Sequence, residues 1–109
     1  MTTITIYKSK NGEYKRLTCK GHAGYDAYGK DIVCASVSCL TINTINSLDE
    51  LVHEKMDIIT DEERGFIDCI FQNILSKEGT LLMDSLVLGL QGIADSYGEK
   101  YLELKFKEV

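Results

Sequence analysis

From Ile32 to Leu48 the chain carries an apolar run that is too long for one strand and too poor in charge for a solvent-facing helix. The spacing predicts a mostly buried helix opened by Asp31, whose side chain is a good N-cap. Its β-branched residues, Val33, Val37, Thr41, Ile42, Thr44 and Ile45, each disfavour an isolated helix by tenths of a kcal/mol relative to alanine. Such a helix holds only against a packed layer, and the flanking segments must supply it.

They read as that layer. Ile4 and Ile6 alternate with Thr3, Thr5 and Tyr7, the period of a strand with one buried face. Asn11-Gly12 offers two residues that tolerate positive φ in a tight turn, and Glu13 to Lys20 reads as the returning strand. Lys55 to Thr60 and Phe66 to Gln72 flank a polar turn at 61–65, giving a second hairpin. Gly79 to Tyr97 sets Leu82, Leu86, Leu90, Ile93 and Tyr97 on one helical stripe, with Gly98 as the stop. Leu102, Leu104 and Phe106 then alternate with charged residues in a final strand. The expected fold is one α/β domain of the α+β type over residues 1–109, in the order ββαββαβ, with a mainly antiparallel sheet and two helices. The two hairpin-and-helix halves share a plan but no residue-level repeat.

A chain of 109 residues can bury roughly 65 % of its unfolded surface, enough for one core. Twelve basic against seventeen acidic residues give a net charge of −5, and no basic run is interleaved with aromatics, so nucleic-acid binding is not expected. Residues 1–7 lack the basic start and apolar core of a signal peptide, and no apolar run approaches the ~20 residues of a membrane span. A cytoplasmic protein without membrane contact is therefore expected, in which the 4 cysteines stay reduced.

Residues 21–30 hold three glycines, Gly21, Gly24 and Gly29, together with Tyr25 and Tyr28, and have no periodicity. They predict a long, mobile loop suited to closing over a substrate. His22 lies at its strand side, and Cys34 falls in the first helical turn after an Asp31 cap. Unpaired backbone N–H groups and the helix dipole at that turn favour a thiolate and could also hold an oxyanion. A thiol nucleophile with a histidine base is the chemistry this pairing suggests. Taken singly, a cysteine on a buried helix is usually packing and a histidine at a strand end is usually hydrogen-bonded scaffold; the shared glycine-rich loop and the position of Cys34 are what argue for a site.

A zinc site built from Cys19, His22, Cys34 and Cys39 fails on spacing, because Cys34 and Cys39 point about 140° apart on one helix. No metal or other cofactor is expected. Ser38, one turn beyond Cys34, could hydrogen-bond the thiolate or substrate, or bond back to the carbonyl four residues earlier. Cys39 and Cys69 read as buried packing, and His53 as a residue at the helix end.

The segments Gly21-His22-Ala23-Gly24-Tyr25 and Gly29-Lys30-Asp31-Ile32-Val33-Cys34-Ala35-Ser36-Val37-Ser38 resemble the Prp family of bacterial ribosomal-processing cysteine proteases, and the similarity extends over nearly the whole chain. The resemblance implies an endopeptidase that removes a short N-terminal extension from a protein of the large ribosomal subunit. It implies Cys34 as nucleophile, His22 as proton donor and acceptor, a homodimer, and a loop over 23–30 that orders on the substrate. Asp31 could orient the histidine, but its capping role explains it equally well. Two other functions compete: a ribosome-associated module that clasps a peptide without cutting it, and a thiol redox sensor, for which Cys19 is the one candidate partner of Cys34.

Overall fold

The computed structural model describes every residue except 22–27, Glu62 and Glu99, and of 28–31 the backbone alone. The elements are β1 (Thr2–Lys8), β2 (Tyr14–Lys20), α1 (Tyr28–Glu50), β3 (Met56–Asp61), β4 (Phe66–Phe71), α2 (Lys77–Tyr97) and β5 (Leu102–Glu108). This is the expected order. They build a 5-stranded sheet in the order β3-β4-β2-β1-β5. The β1–β2, β2–β4 and β3–β4 pairs are antiparallel, while β1 and β5 run parallel, so the sheet is mixed.

Topology explains why both helices lie together. β2 and β3 run in one direction and are joined by α1; β4 and β5 run in the other and are joined by α2. The two crossovers start from oppositely directed strands and travel to opposite edges, so a single handedness sets both helices on the same face. The core forms there: Ile4, Ile6, Leu17, Cys69 and Leu102 from the strands meet Val33, Val37 and Leu48 of α1 and Met83, Leu86 and Leu90 of α2. The opposite face carries an Arg16–Asp68 pair, bidentate through Nε at 2.8 Å and Nη2 at 2.6 Å, with Arg16 stacked 5.1 Å from the Tyr7 ring centre.

α1 includes a 19-residue stretch, Ile32–Glu50, apolar enough by length and composition to cross a membrane, which the sequence reading overlooked. Here it serves as a core helix, with Val33, Val37, Thr41, Ile45 and Leu48 buried along one stripe. Cys39, expected to be buried, is exposed. It lies two residues from Val37, about 200° around the helix, and so faces away from the core.

Three local expectations are corrected. The first hairpin does not turn on two positive-φ residues: the Gly12 N–H donates to the Ser9 carbonyl at 2.8 Å, and of the pair only Gly12 is left-handed, at φ 85. Ser9 Oγ accepts the N–H groups of Asn11 and Glu13, which fixes this longer loop. α1 starts at Tyr28, so Asp31 lies inside its first turn and does not cap it. An acidic side chain is favoured at either place by the same N–H groups, and the longer register gains further backbone bonds. Tyr28 and Gly29, expected in the loop, are consequently helical. Finally, β5 buries only Leu102 fully; Phe106 is 52 % exposed, since the edge strand runs out past the helices.

Gly98 does end α2, at φ 86 with its N–H on the Ala94 carbonyl at 2.7 Å. The start of α2 is Ser76, whose Oγ accepts the Gly79 N–H at 3.0 Å.

Candidate active site

A cavity of about 470 Å³ opens between α1 and the β3–β4 hairpin. One wall is a helical stripe, Cys34, Ser38, Ile42 and Asn46, each four residues from the last. The facing wall is Ile58 and Thr60 of β3 and Ile67 of β4, which the strand register turns to the helix side. Cys19 and Gly21 line it where β2 stops. Ile42 is 48 % and Ile58 43 % exposed, so the groove presents apolar side chains to solvent. An open, apolar trough lined by a cysteine suits a peptide side chain better than a small polar metabolite.

Cys34 is half-buried. Because α1 begins at Tyr28, Cys34 sits in its second turn, and the helix's unpaired N–H groups belong to 28–31. The expected coincidence of the sulfur with the helix end is thus corrected by one turn. The Ser38 hydroxyl has no hydrogen-bond partner among the described residues; the back-bond to a carbonyl four residues earlier is made instead by Ser36, to Ile32 at 2.8 Å. Its hydroxyl is available to the groove it lines.

Cys19 is buried in the wall of the groove, and its thiol is pushed up to about 11, first by burial and then by the neighbouring Cys34. Cys69 is fully buried beneath the sheet, as expected, and burial, with Asp68 adding to it, pushes its thiol up to about 12. Gly21 adopts φ 94, and a Cβ there would lie 2.6 Å from the Met1 carbonyl oxygen. Only glycine fits, so the exit from β2 toward residue 22 is fixed against the first residues of β1.

His22, Gly24 and Tyr25 lie outside the described residues, as do the side chains of Tyr28 and Asp31. Among the described residues no three His, Cys, Asp or Glu side chains gather to hold a metal ion. Cys34 and Ser38 were legible in the sequence as neighbours on one helical face, whereas the groove's other walls were not. Ile42 was legible as the next residue on their helical face; Ile58, Thr60 and Ile67 became neighbours only through the crossover.

The family model for the cysteine protease Prp matches residues 1–102. The chain belongs to the Prp family. Among Prp relatives, the ribosomal processing cysteine protease Prp of Staphylococcus aureus is 29 % identical over 107 residues, covering 98 % of this chain and 100 % of its own. That of Bacillus subtilis is 25 % identical, over 89 % of this chain and 90 % of its own. The S. aureus Prp solved with a covalently linked product peptide superposes with a TM-score of 0.88 at 28 % identity, over 98 % of this chain and 100 % of that one. The same protease with a substrate peptide gives a TM-score of 0.90 at 27 % identity, with the same coverage. Prp is a cysteine protease, and this fold and chain length are those of the family.

Proposed function

We propose that this protein removes a short N-terminal extension from a protein of the large ribosomal subunit, with Cys34 as nucleophile and His22 as its base. The observation that carries the reading is the placement of Cys34, half-buried in the wall of an open apolar groove, in a chain similar along its length to a ribosomal processing protease solved with a product peptide attached covalently. A covalent product is what a thiol nucleophile leaves behind.

His22 takes the thiol proton, and the Cys34 sulfur attacks the scissile carbonyl carbon. The tetrahedral adduct collapses as His22 returns the proton to the leaving amine, leaving an acyl-enzyme. Water, deprotonated by His22, then attacks the thioester and releases the extension, restoring the thiol. The groove along α1 holds the apolar side chains on one side of the bond, while Ser38 hydrogen-bonds thiolate or peptide and Asp31 orients the histidine. The segment with Gly21, Gly24 and Tyr25, and the start of α1 with Tyr28 and Gly29, contact the substrate as it seats.

A homodimer and a cytoplasmic location belong to the same proposal, as ribosomal precursors are made in that compartment; the net charge of −5 speaks against direct nucleic-acid binding. The rival reading, a module that binds the peptide without cutting it, has no use for a thiol.

The test is incubation with the precursor ribosomal protein, read by intact mass. One cut near its N-terminus is expected with the native chain and none with Cys34→Ala, which should still bind the extension peptide. Cleavage by Cys34→Ala above about one per cent of the native rate would remove the nucleophile assignment.

A further inference from the structure

Cys34 shares its groove with a second thiol that the peptidase chemistry does not use. Cys19 is the penultimate residue of β2, its side chain turned to the helix side with Leu17, and it is 6 % exposed in the wall of the trough that Cys34 also lines. α1 and the end of β2 thus present one reachable sulfur and one sheltered sulfur to the same cavity. Of the remaining cysteines, Cys39 faces away from the core on α1 and Cys69 lies under the middle of the sheet, paired across from Leu17 and Ile58. Neither lines the groove.

We propose that Cys34 and Cys19 form a reversible redox site in which Cys19 is the resolving thiol, so that peroxide closes the groove with a disulfide and a reductant reopens it. The steps balance. The Cys34 thiolate attacks one peroxide oxygen and the O–O bond breaks; the sulfur is oxidised to sulfenic acid and the peroxide reduced, its second oxygen leaving as hydroxide, which takes up the proton the thiol gave up and departs as water. The Cys19 sulfur then attacks the Cys34 sulfur, forming S–S and breaking S–O; the hydroxyl takes the Cys19 proton and leaves as a second water. Burial, more than the neighbouring Cys34, holds Cys19 in its thiol form and shelters it from peroxide itself. Oxidation of Cys34 supplies the electrophilic sulfur that Cys19 otherwise lacks in this groove. Without Cys19, sulfenic acid in an open groove proceeds to sulfinic and sulfonic acids, which thiols do not reverse.

This rests on Cys34 being reactive, as the proposed function requires, but its first readout does not depend on peptidase activity. Native protein treated with hydrogen peroxide should lose two hydrogens in intact mass, and digestion without reductant should yield a peptide joining Cys19 to Cys34. Cleavage should fall at least about tenfold and return to within about twofold after dithiothreitol, whereas peroxide-treated Cys19→Ala should recover less than about a tenth of its own untreated rate. The peptide map uses the native chain and so stands whether or not Cys19→Ala folds. Bridging of Cys34 to another cysteine, oxygen addition at Cys34 without bridging, or equal recovery by Cys19→Ala would overturn the proposal. A Cys19–Cys34 bridge that left cleavage untouched would uphold the thiol pair and defeat the assignment of Cys34 as nucleophile.

Discussion

The cysteines occupy contrasting surroundings: Cys69 and Cys19 are buried, Cys34 is half-buried in a groove, and Cys39 is open on the outer face of α1. Alkylation separates these cases. At neutral pH, iodoacetamide should leave Cys69 and Cys19 untouched in the folded protein, because burial both blocks the reagent and holds their thiols protonated. The informative contest is Cys34 against Cys39. Exposure alone favours Cys39; an activated nucleophile favours Cys34, and we expect Cys34 to label first in a time course read by peptide mass. Labelling of Cys39 at the same rate or faster would count against activation of Cys34. At this scale the sequence was legible where side-chain direction follows from local periodicity, as for Cys69 between Ile67 and Phe71. It misled for Cys39, because the apolar run around that residue suggested burial on all sides whereas α1 packs along one stripe.

The junction of α2 with the end of α1 is held by one carboxylate. Glu54 Oε2 accepts the Ser76 N–H at 2.9 Å and the Ser76 hydroxyl at 3.0 Å, and that hydroxyl oxygen in turn accepts the Gly79 N–H at 3.0 Å. Glu54 reaches this place because His53 before it takes a left-handed turn, at φ 64, after α1. Ser76→Ala should cost about 1 kcal/mol in denaturant unfolding, the usual value of a lost N-cap. Gly79→Ala sets two effects against each other. Helix propensity favours alanine by about 1 kcal/mol, but the new Cβ would overlap Glu54 Oε2, and displacing the carboxylate undoes the cap as well. We expect net destabilisation by Gly79→Ala, and recovery of the propensity gain when it is combined with Glu54→Ala; a stabilised single variant would show that Glu54 moves aside freely. The stripe of α2 and its Gly98 stop were readable because periodicity and cap residue agree there. The start of α1 was not, because aspartate suits a cap and a first turn alike, and only the packed fold chooses between them.

For the molecule as a whole, its buried thiols make it sensitive to alkali. Cys69 is raised from 9.0 to about 12 and Cys19 from 9.0 to about 11, both chiefly by burial, so the fold holds the neutral forms while the unfolded chain ionises first. Their contribution is fully present below pH 9 and is lost as pH climbs through those raised values; Tyr14, buried and bonded to Asp84, is raised too and acts in the same sense. Thermal midpoints should therefore fall steadily between about pH 9 and 11, and Cys69→Ala, less stable at neutral pH, should show a shallower fall. A midpoint that stayed level over that range would contradict the burial of these thiols. The sheet has a further consequence, for synthesis. β1 pairs with β5 along its whole length, and Thr3 meets Glu103 across 100 residues of chain. A nascent chain can close the β1–β2 hairpin early, but β1 keeps one bare edge, and the core lacks Leu102, until the last strand has been translated and has threaded alongside it. Molecules stalled before residue 102 would offer that edge to one another, so ribosome pausing late in the message should convert this protein to aggregate more readily than pausing soon after the first hairpin.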